Sequence, residues 1–115
     1  MEIDELLGRP ASREVDLQNH IRNELSSIPG LMLFRANVMG QIKGANGQRV
    51  ASGLPKGFPD LFGIYCGKFV AIEIKLPSGR VSKEQTAFIA AIIANGGLAG
   101  VARCVADAKG ILCIS

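Results

Sequence analysis

Apolar residues recur at helical spacing between positions 15 and 28, and this spacing predicts an amphipathic helix of about 16 residues. Ser12 precedes the run and is the candidate N-cap. Pro29-Gly30 follows the run and is a typical stop signal. The chain therefore begins its folded part with a helix whose apolar side faces a core.

The pattern predicts two more helices in the second half of the chain. Ser82 begins the first of them, because Gln85 three residues later completes a capping box. Asn95-Gly96-Gly97 ends it in the way expected of a helix C-terminus. A last short helix is predicted over residues 106–112.

Strands are predicted where aliphatic and aromatic residues form short continuous runs. A two-residue turn at Cys66-Gly67 joins two of these runs into a β-hairpin. The element order α-β-β-β-α-β-(α) indicates an α/β fold with a central sheet flanked by helices. The predicted strands are residues 31–37, 60–65, 68–75 and 98–104.

Residues 39–57 differ from the rest of the chain. They contain five glycines, three bases and no acid, and Asn46-Gly47 is a hairpin-turn signal. Two interpretations are open. The segment is either a solvated surface loop or an arm whose cations, Lys43, Arg49 and Lys56, contact phosphates.

Length and composition indicate one globular domain. The chain has 115 residues, 48% of them hydrophobic and 20% charged, which is too apolar for a disordered tail. We expect a flexible lead-in over residues 1–11 and a single domain over 12–115. The high apolar content for this size also hints at surface buried against a partner.

No apolar run is long enough to span a bilayer, and we expect a cytoplasmic protein.

Cysteine and histidine usage excludes several kinds of site. The three cysteines form no CxxC pair, which disfavours a disulfide framework or a structural zinc site. We expect them to be reduced and to pack as small buried hydrophobes. His20 is the only histidine in the sequence. A catalytic triad based on histidine is therefore disfavoured, and so is a metal site with several histidine ligands.

The net charge of +3 conceals a polarity along the chain. Residues 1–24 carry six acids and three bases, whereas residues 25–115 carry ten bases and four acids. The second part therefore has a net charge of +6. A moderately basic body is compatible with a polyanionic partner, although basicity alone does not establish one.

The candidate chemistry lies on the predicted hairpin. If Cys66-Gly67 is a two-residue turn, Asp60 lies opposite Glu73 on the same face, with Cβ atoms about 5 Å apart. Lys75 is two residues beyond Glu73 and shares that face. A different turn length would shift this register. Both faces of the hairpin are apolar, so we expect helices to cover both.

Two facing carboxylates in apolar surroundings repel each other by roughly 3 kcal/mol. A divalent cation between them removes this cost, and carboxylate, carbonyl and water oxygens suit Mg²⁺. Lys75 would then stand beside the nucleophile and the scissile phosphate of a substrate. The plainer alternative is that Pro59-Asp60 is an ordinary turn and that Glu73 and Lys75 form an edge-strand ion pair.

Three further residues are candidates for this site. The capping box explains Gln85, yet its amide is also placed to reach the site. A favourable interaction with the helix dipole explains Glu14 in the first turn of the first helix, and a supporting or metal-binding role is the alternative. Glu24 offers a second acid on the same helix and is otherwise a solvated charge.

The motifs resemble those of the VRR-NUC (virus-type replication-repair nuclease) family of the PD-(D/E)xK nuclease superfamily. They are Gly57-x-Pro59-Asp60, Glu73-x-Lys75 and Ser82-x-x-Gln85, in that order. Arg35-x-Asn37 and the leading helix with Glu14 also fit the pattern, so that the resemblance covers about residues 12–112.

The resemblance implies a restriction-endonuclease-like core and Mg²⁺- or Mn²⁺-dependent hydrolysis of DNA phosphodiesters. Asp60, Glu73 and the backbone carbonyl of Ile74 would bind the metal, and Lys75 would be the catalytic lysine. Glu14 and Gln85 would support them. Family members made of this domain alone resemble homodimeric nucleases of four-way DNA junctions. The cations expected at the DNA are Lys43, Arg49, Lys56, Arg80 and Lys83.

Two other function classes stay open at this point. A nucleic-acid-binding module without catalysis would use the basic segment and would bind DNA regardless of metal. A structural or interaction protein would use Glu73 and Lys75 only as an ion pair. We expect the nuclease, acting on intracellular DNA of a bacterium or a virus, because a pure binder has no use for facing acids.

Overall fold

The computed structural model describes residues 13–36, 41–43, 49–51 and 53–114. The helices are α1 (Glu14–Leu25), α2 (Lys83–Ala94) and α3 (Val105–Ile111). The strands are β1 (Leu31–Arg35), β2 (Gln41–Lys43), β3 (Arg49–Ala51), β4 (Leu61–Tyr65), β5 (Lys68–Ile74) and β6 (Leu98–Ala102).

The central sheet has the strand order β1-β4-β5-β6. Strands β1, β4 and β5 are antiparallel neighbours, and β6 is parallel to β5. Helix α2 makes the crossover that a parallel pair requires. The sheet is therefore mixed, and the predicted α/β class is confirmed.

The segment between β1 and β4 contains more regular structure than the sequence predicted. Strands β2 and β3 pair with each other as a separate antiparallel ladder, in which Lys43 is the backbone partner of Arg49. The turn signal at Asn46-Gly47 and the lead-in 1–11 lie outside the described residues.

Helix α1 is shorter than predicted. It has 12 residues, and its N-cap position is Arg13, which makes no side-chain capping bond. The predicted cap, Ser12, lies outside the described residues. The helix ends at Leu25 rather than Ile28, because a residue that precedes proline is disfavoured in the helical region. Ile28 instead closes a turn, donating its N–H to the Leu25 carbonyl at 3.1 Å.

The prediction for α2 is confirmed in detail. The Ser82 hydroxyl accepts from the Gln85 N–H at 3.1 Å, and the Gln85 side chain accepts from the Ser82 N–H at 2.9 Å. The helix ends before Asn95, and Gly96 adopts a φ of 90°, as the stop signal indicated. Helix α3 covers residues 105–111, one residue earlier than predicted.

The main core lies between one face of the sheet and helices α1 and α3. Val70, Ile72 and Ile74 alternate along β5 and are fully buried on this face. Ile21 and Leu25 of α1 are also fully buried in the same cluster. This packing fixes the carboxyl end of β5, which carries Glu73, as a rigid platform.

Helix α2 covers only part of the opposite face of the sheet. The prediction that helices cover both faces of the hairpin is therefore wrong for the part of this face near Ile64 and Phe69. Met32, Ile64 and Phe69 are register neighbours across β1, β4 and β5, and they are 58%, 49% and 41% exposed. Phe34 lies beside them, with its ring 5.8 Å from that of Phe62. The continuous apolar runs of these strands are typical of strands buried on both faces, but α2 lies over β5 and β6 and leaves β1 and β4 open.

The prediction that the three cysteines are buried is wrong. All three cysteines are free, but all three are exposed rather than buried. They lie at the ends of elements: Cys66 in the hairpin turn, Cys104 at the N-cap of α3, and Cys113 just after α3. None of the helices in the described part of the chain has the length and apolarity needed to cross a membrane.

Candidate active site

The hairpin turn fixes the register that brings the acids together. Cys66 and Gly67 have φ values of 49° and 83°, which is typical of the two-residue type I′ turn. Tyr65 therefore pairs with Lys68, and the ladder continues to Leu61 and Ile72. The predicted register is confirmed over these pairs, and continuing it by one residue beyond the ladder sets Asp60 opposite Glu73.

Asp60 is anchored on both sides through backbone groups. Its carbonyl accepts from the N–H of Ala36, beyond the end of β1, at 2.8 Å. Its Oδ2 accepts from the N–H of Ile74 at 2.9 Å. Pro59 before it is fully buried, which holds the chain where it enters β4. The Asp60 carboxylate thus reaches across to the end of β5, next to Glu73.

Glu73 is a buried acid with one satisfied oxygen and one free oxygen. Its residue is 2% exposed. Oε2 accepts a 2.8 Å hydrogen bond from Nε2 of Gln85, and Nζ of Lys75 lies 3.6 Å from the same oxygen. Oε1 is buried and has no hydrogen-bond partner among the described residues. A buried oxygen without a partner is costly unless it has a ligand.

The two acids perturb each other's ionisation. Burial, with the negative charge of Asp60 as the next cause, raises the pKa of Glu73 to about 8. Burial also raises the pKa of Asp60, against the hydrogen bond from Ile74 and the charge of Lys75. At neutral pH the pair therefore resists carrying two negative charges without a cation.

Gln85 performs both of the roles that the sequence left open. Its Oε1 accepts from the Ser82 N–H in the capping box, and its Nε2 donates to Glu73. The single amide therefore joins the start of α2 to the acid on β5.

The charge of Glu14 reaches the site, because it is one of the causes that raise the pKa of Glu73. The positive charge of Arg35 acts on Asp60 and lowers its pKa. Glu24 lies ten residues beyond Glu14 on α1 and is exposed, as is His20. Of the two acids weighed on α1, Glu14 is the one whose charge acts on Glu73.

The donor set fits a hard divalent cation. Both side-chain donors are carboxylates, and the free Glu73 oxygen lacks a partner within the described residues. No group of three histidine, cysteine or acidic side chains suited to a metal occurs in the part of the chain that is described. A cation held by Asp60 and Glu73 would therefore complete its shell with a backbone carbonyl and waters, which is the usual way for Mg²⁺.

Three of the predicted DNA-contacting cations are exposed and lie close in sequence to the site residues. Lys56 precedes the segment that leads to Asp60, Arg80 lies between Lys75 and α2, and Lys83 is the first residue of α2. Gly57 brings the two segments together: it has a φ of 90°, and a Cβ built there would lie 2.7 Å from the Glu84 carbonyl. Lys56 and Lys83 are the chain neighbours of these two residues, so the backbone segments that carry them lie close together.

Sequence reasoning assigned no role to two arginines that the structure connects with the site. Arg35 acts on Asp60 through its charge, and its position at the end of β1 was the available signal. Arg103 donates to carbonyls of the loop that follows Lys75. No motif surrounds Arg103, so only the packed structure reveals this contact.

Comparison with known proteins identifies a family. A family model described as the VRR-NUC domain matches residues 8–106, which is most of the chain and includes every residue of the site. None of the curated proteins matches the chain.

Proposed function

The chain belongs to the VRR-NUC domain family and is a nuclease-type domain, and on that premise we propose that it is a metal-dependent DNA endonuclease with Asp60, Glu73 and Lys75 at its active centre. The observation that carries the proposal is the buried Glu73 carboxylate opposite Asp60. In an inert protein, such a pair only destabilises the fold. In a nuclease, the same pair is a ready cation site.

Asp60, Glu73 and the backbone carbonyl of Ile74 would hold the cation, for which Mg²⁺ or Mn²⁺ is suited. Bound there, a divalent cation polarises a phosphate and makes water a stronger nucleophile at neutral pH. The free Oε1 of Glu73 supports this assignment, because the other oxygen is already held by Gln85.

Lys75 supplies the positive charge that the reaction needs beside the phosphate. Its side chain is only 13% exposed, and its Nζ lies 3.6 Å from Glu73 Oε2. An ammonium at this place orients the attacking water through hydrogen bonds and offsets charge that builds on the phosphoryl oxygens in the transition state. Because the lysine is confined by its surroundings, little of this stabilisation is lost to reorganisation.

Gln85 and Glu14 act as positioning residues in this proposal. Gln85 holds one oxygen of Glu73 and leaves the other available. Glu14 adds negative potential at the end of β5, which favours a bound cation. Lys56, Arg80 and Lys83 would contact phosphates on either side of the scissile bond, with Lys43 and Arg49 on the β2–β3 ribbon as further contacts.

We further propose that the protein acts as a homodimer on branched DNA, with a four-way junction as its substrate. One site cuts one strand, and a twofold axis supplies a second site for the opposite strand. The apolar face formed by Met32, Phe34, Ile64 and Phe69 supports a dimer. These half-exposed side chains present roughly 400 Å² of apolar surface, a size typical of the largest apolar patch on a monomer, which is often functional.

The test is strand scission of end-labelled DNA in the presence of Mg²⁺, with a four-way junction beside linear, nicked and flapped duplexes. The proposal predicts paired cuts in the junction and none with a chelator present. Cleavage of all four substrates at one rate would overturn the junction preference and keep the nuclease. Chelator-independent binding without scission would instead establish a nucleic-acid-binding module.

A further inference from the structure

Arg103 gathers the carbonyls of the turn that follows Lys75. Its Nη1 donates to the Leu76 carbonyl at 2.6 Å and to the Gly79 carbonyl at 2.9 Å, and the Pro77 carbonyl lies 3.3 Å away. One nitrogen with two hydrogens thus serves two carbonyls directly and approaches a third. The turn itself is closed by the Gly79 N–H, which donates to Leu76 at 2.8 Å.

This turn lies against the side chain of Lys75. A Cβ built at Gly79 would lie 3.4 Å from Cδ of Lys75, so the turn packs along the aliphatic stem of the lysine. The Lys75 N–H in turn donates to the carbonyl of Ala102, the residue before Arg103, at 3.1 Å. Lys75 is therefore held at its backbone by β6 and along its stem by the turn.

The same turn leads directly into α2. Three residues after Gly79 the chain reaches Ser82, whose capping box contains Gln85, and Gln85 donates to Glu73. A displacement of the turn would therefore move the Lys75 ammonium and the hydrogen-bond donor of Glu73 together.

Arg103 is itself fixed at its backbone. Its N–H donates to Oδ2 of Asp107, in the first turn of α3, at 2.9 Å. Its guanidinium is committed to three carbonyls of the protein, which distinguishes it from the exposed cations Arg80 and Lys83. A phosphate-binding arginine would direct this group outward instead.

We propose that Arg103 is a positioning residue of the active site, which holds the 76–79 turn against Lys75 and so fixes the lysine beside Glu73. This inference rests on the proposed nuclease function. Arg103 is not one of the acids or the lysine of the proposed active centre. It affects the rate of the chemical step by holding Lys75 in place.

The experiment compares Arg103→Met, Arg103→Lys and the control Lys109→Met, which removes a cation from the neighbouring helix α3. Single-turnover cleavage is measured as a function of DNA concentration with saturating Mg²⁺. We expect Arg103→Met to lower the maximal rate roughly 10- to 100-fold, since misplacement by about 1 Å costs that much, and to leave the DNA concentration at half-maximal rate within about twofold. Arg103→Lys, whose ammonium also donates to carbonyls, recovers most of the rate, and Lys109→Met changes neither quantity.

Amide hydrogen exchange gives a readout that does not depend on cleavage. In Arg103→Met the Gly79 amide should exchange about tenfold faster or more, while the amide of the buried Ile72 is unchanged. Faster Gly79 exchange with a native cleavage rate would overturn the proposal and leave Arg103 a purely structural clamp. A loss of DNA affinity at an unchanged rate would overturn it too, because Arg103 would then be a DNA contact.

Two further outcomes are distinguishable. If Arg103→Met does not fold, Arg103→Lys and Arg103→Gln are compared instead. Fast exchange of the Gly79 amide in Arg103→Gln, together with a maximal cleavage rate equal to that of the native protein, would then contradict the proposal. If the unaltered protein cuts no DNA, the proposed function fails and the positioning role fails with it, whereas the exchange data still decide whether Arg103 holds the turn.

Discussion

Nε2 of Gln85 lies 2.8 Å from Oε2 of Glu73 and joins the first turn of α2 to the acid near the carboxyl end of β5. The hydrogen bond leaves Oε1 of the same carboxylate buried and unpartnered among the described residues. The helix cap and the acid are thus one unit, because the other end of the Gln85 amide closes the capping box. A cation site built this way has one carboxylate oxygen already oriented before any metal arrives.

Replacing Gln85 by alanine should lower both stability and cleavage. The variant loses the bond to Glu73 and half of the capping box, which together cost about 1–3 kcal/mol of unfolding free energy. Cleavage should fall roughly tenfold or more, since Glu73 is no longer held. The matched control is Ser82→Ala, which removes a capping acceptor but not the donor to Glu73. Urea titration and single-turnover cleavage measure the two effects, and equal loss of cleavage in both variants would contradict the positioning role of Gln85.

The free energy of unfolding of the metal-free protein should fall between about pH 5 and pH 8. Because the pKa of Glu73 is raised from 4.5 to about 8, the native state holds a proton in this window that the unfolded chain has released. Stability therefore decreases as the pH rises, by up to about 1.4 kcal/mol per pH unit. Urea denaturation with a chelator at several pH values measures this slope.

Glu73→Gln is the control for that slope, because it keeps the shape of the side chain and cannot ionise. The difference between native and variant protein should disappear toward pH 5 and grow toward pH 8. A native protein whose stability rises through this window relative to the variant would contradict the assignment of the raised pKa to Glu73.

Mg²⁺ should raise the melting temperature of the native protein and not that of Asp60→Asn. At a concentration of 100 times Kd, a ligand that binds only the native state adds about 2.7 kcal/mol. Asparagine retains an oxygen that can accept from the Ile74 N–H, so the fold is kept while the charge is lost. Without metal the variant should be at least as stable as the native protein, because the buried charge that faces Glu73 is gone. An equal Mg²⁺ shift in both proteins would place the cation elsewhere.

Gly57→Ala should be more destabilising than Gly53→Ala. Both glycines have φ near 90°, which is unfavourable for alanine, but only at Gly57 would the new Cβ lie 2.7 Å from backbone atoms of Glu84. We expect a loss of about 1 kcal/mol at Gly53 and about 3 kcal/mol at Gly57. Chemical denaturation measures the difference, and equal losses would show that the approach of this loop to α2 carries no packing constraint.

Removing Lys56 and Lys83 together should weaken DNA binding and reduce its dependence on salt. Each phosphate contact contributes about 0.9 to the slope of log K against log salt concentration, so the double alanine variant should lose nearly two. Lys68→Ala is the control, because this exposed lysine lies at the hairpin turn, at the other end of β5. Fluorescence anisotropy over a salt series makes the comparison. If log K depended on log salt concentration with the same slope in the double variant and in the control, neither Lys56 nor Lys83 would contact DNA.

The register of the acids was predictable because it depends only on local rules. A two-residue turn at Cys66-Gly67 dictates which positions face each other, and the structure confirms that register from Tyr65–Lys68 to Leu61–Ile72, one step short of Asp60 and Glu73. The capping box of Ser82 and Gln85 was predictable for the same reason, since its partners are three residues apart. The α/β class followed from the order of these local elements.

The rest of the site depends on how distant elements pack, which no local pattern specifies. The bond from Gln85 to Glu73 requires α2 to lie on one particular face of β5. The contacts of Arg103 span 24 to 27 residues of sequence and end on backbone carbonyls. Because every residue has such a carbonyl, the sequence does not reveal which ones accept from Arg103. The open face at Ile64 and Phe69 was missed because a continuous apolar run is also the pattern of a strand buried on both faces.

The most direct test of the nuclease assignment is single-turnover cleavage of a labelled four-way junction by the native protein, Asp60→Asn and Lys75→Met at equal Mg²⁺. Native protein should cut the junction, and each variant should cut it at least about a hundredfold more slowly, because each lacks a group that stabilises the transition state. Undiminished cleavage by either variant would contradict the assignment of its altered residue, and the absence of cleavage by the native protein would contradict the nuclease itself.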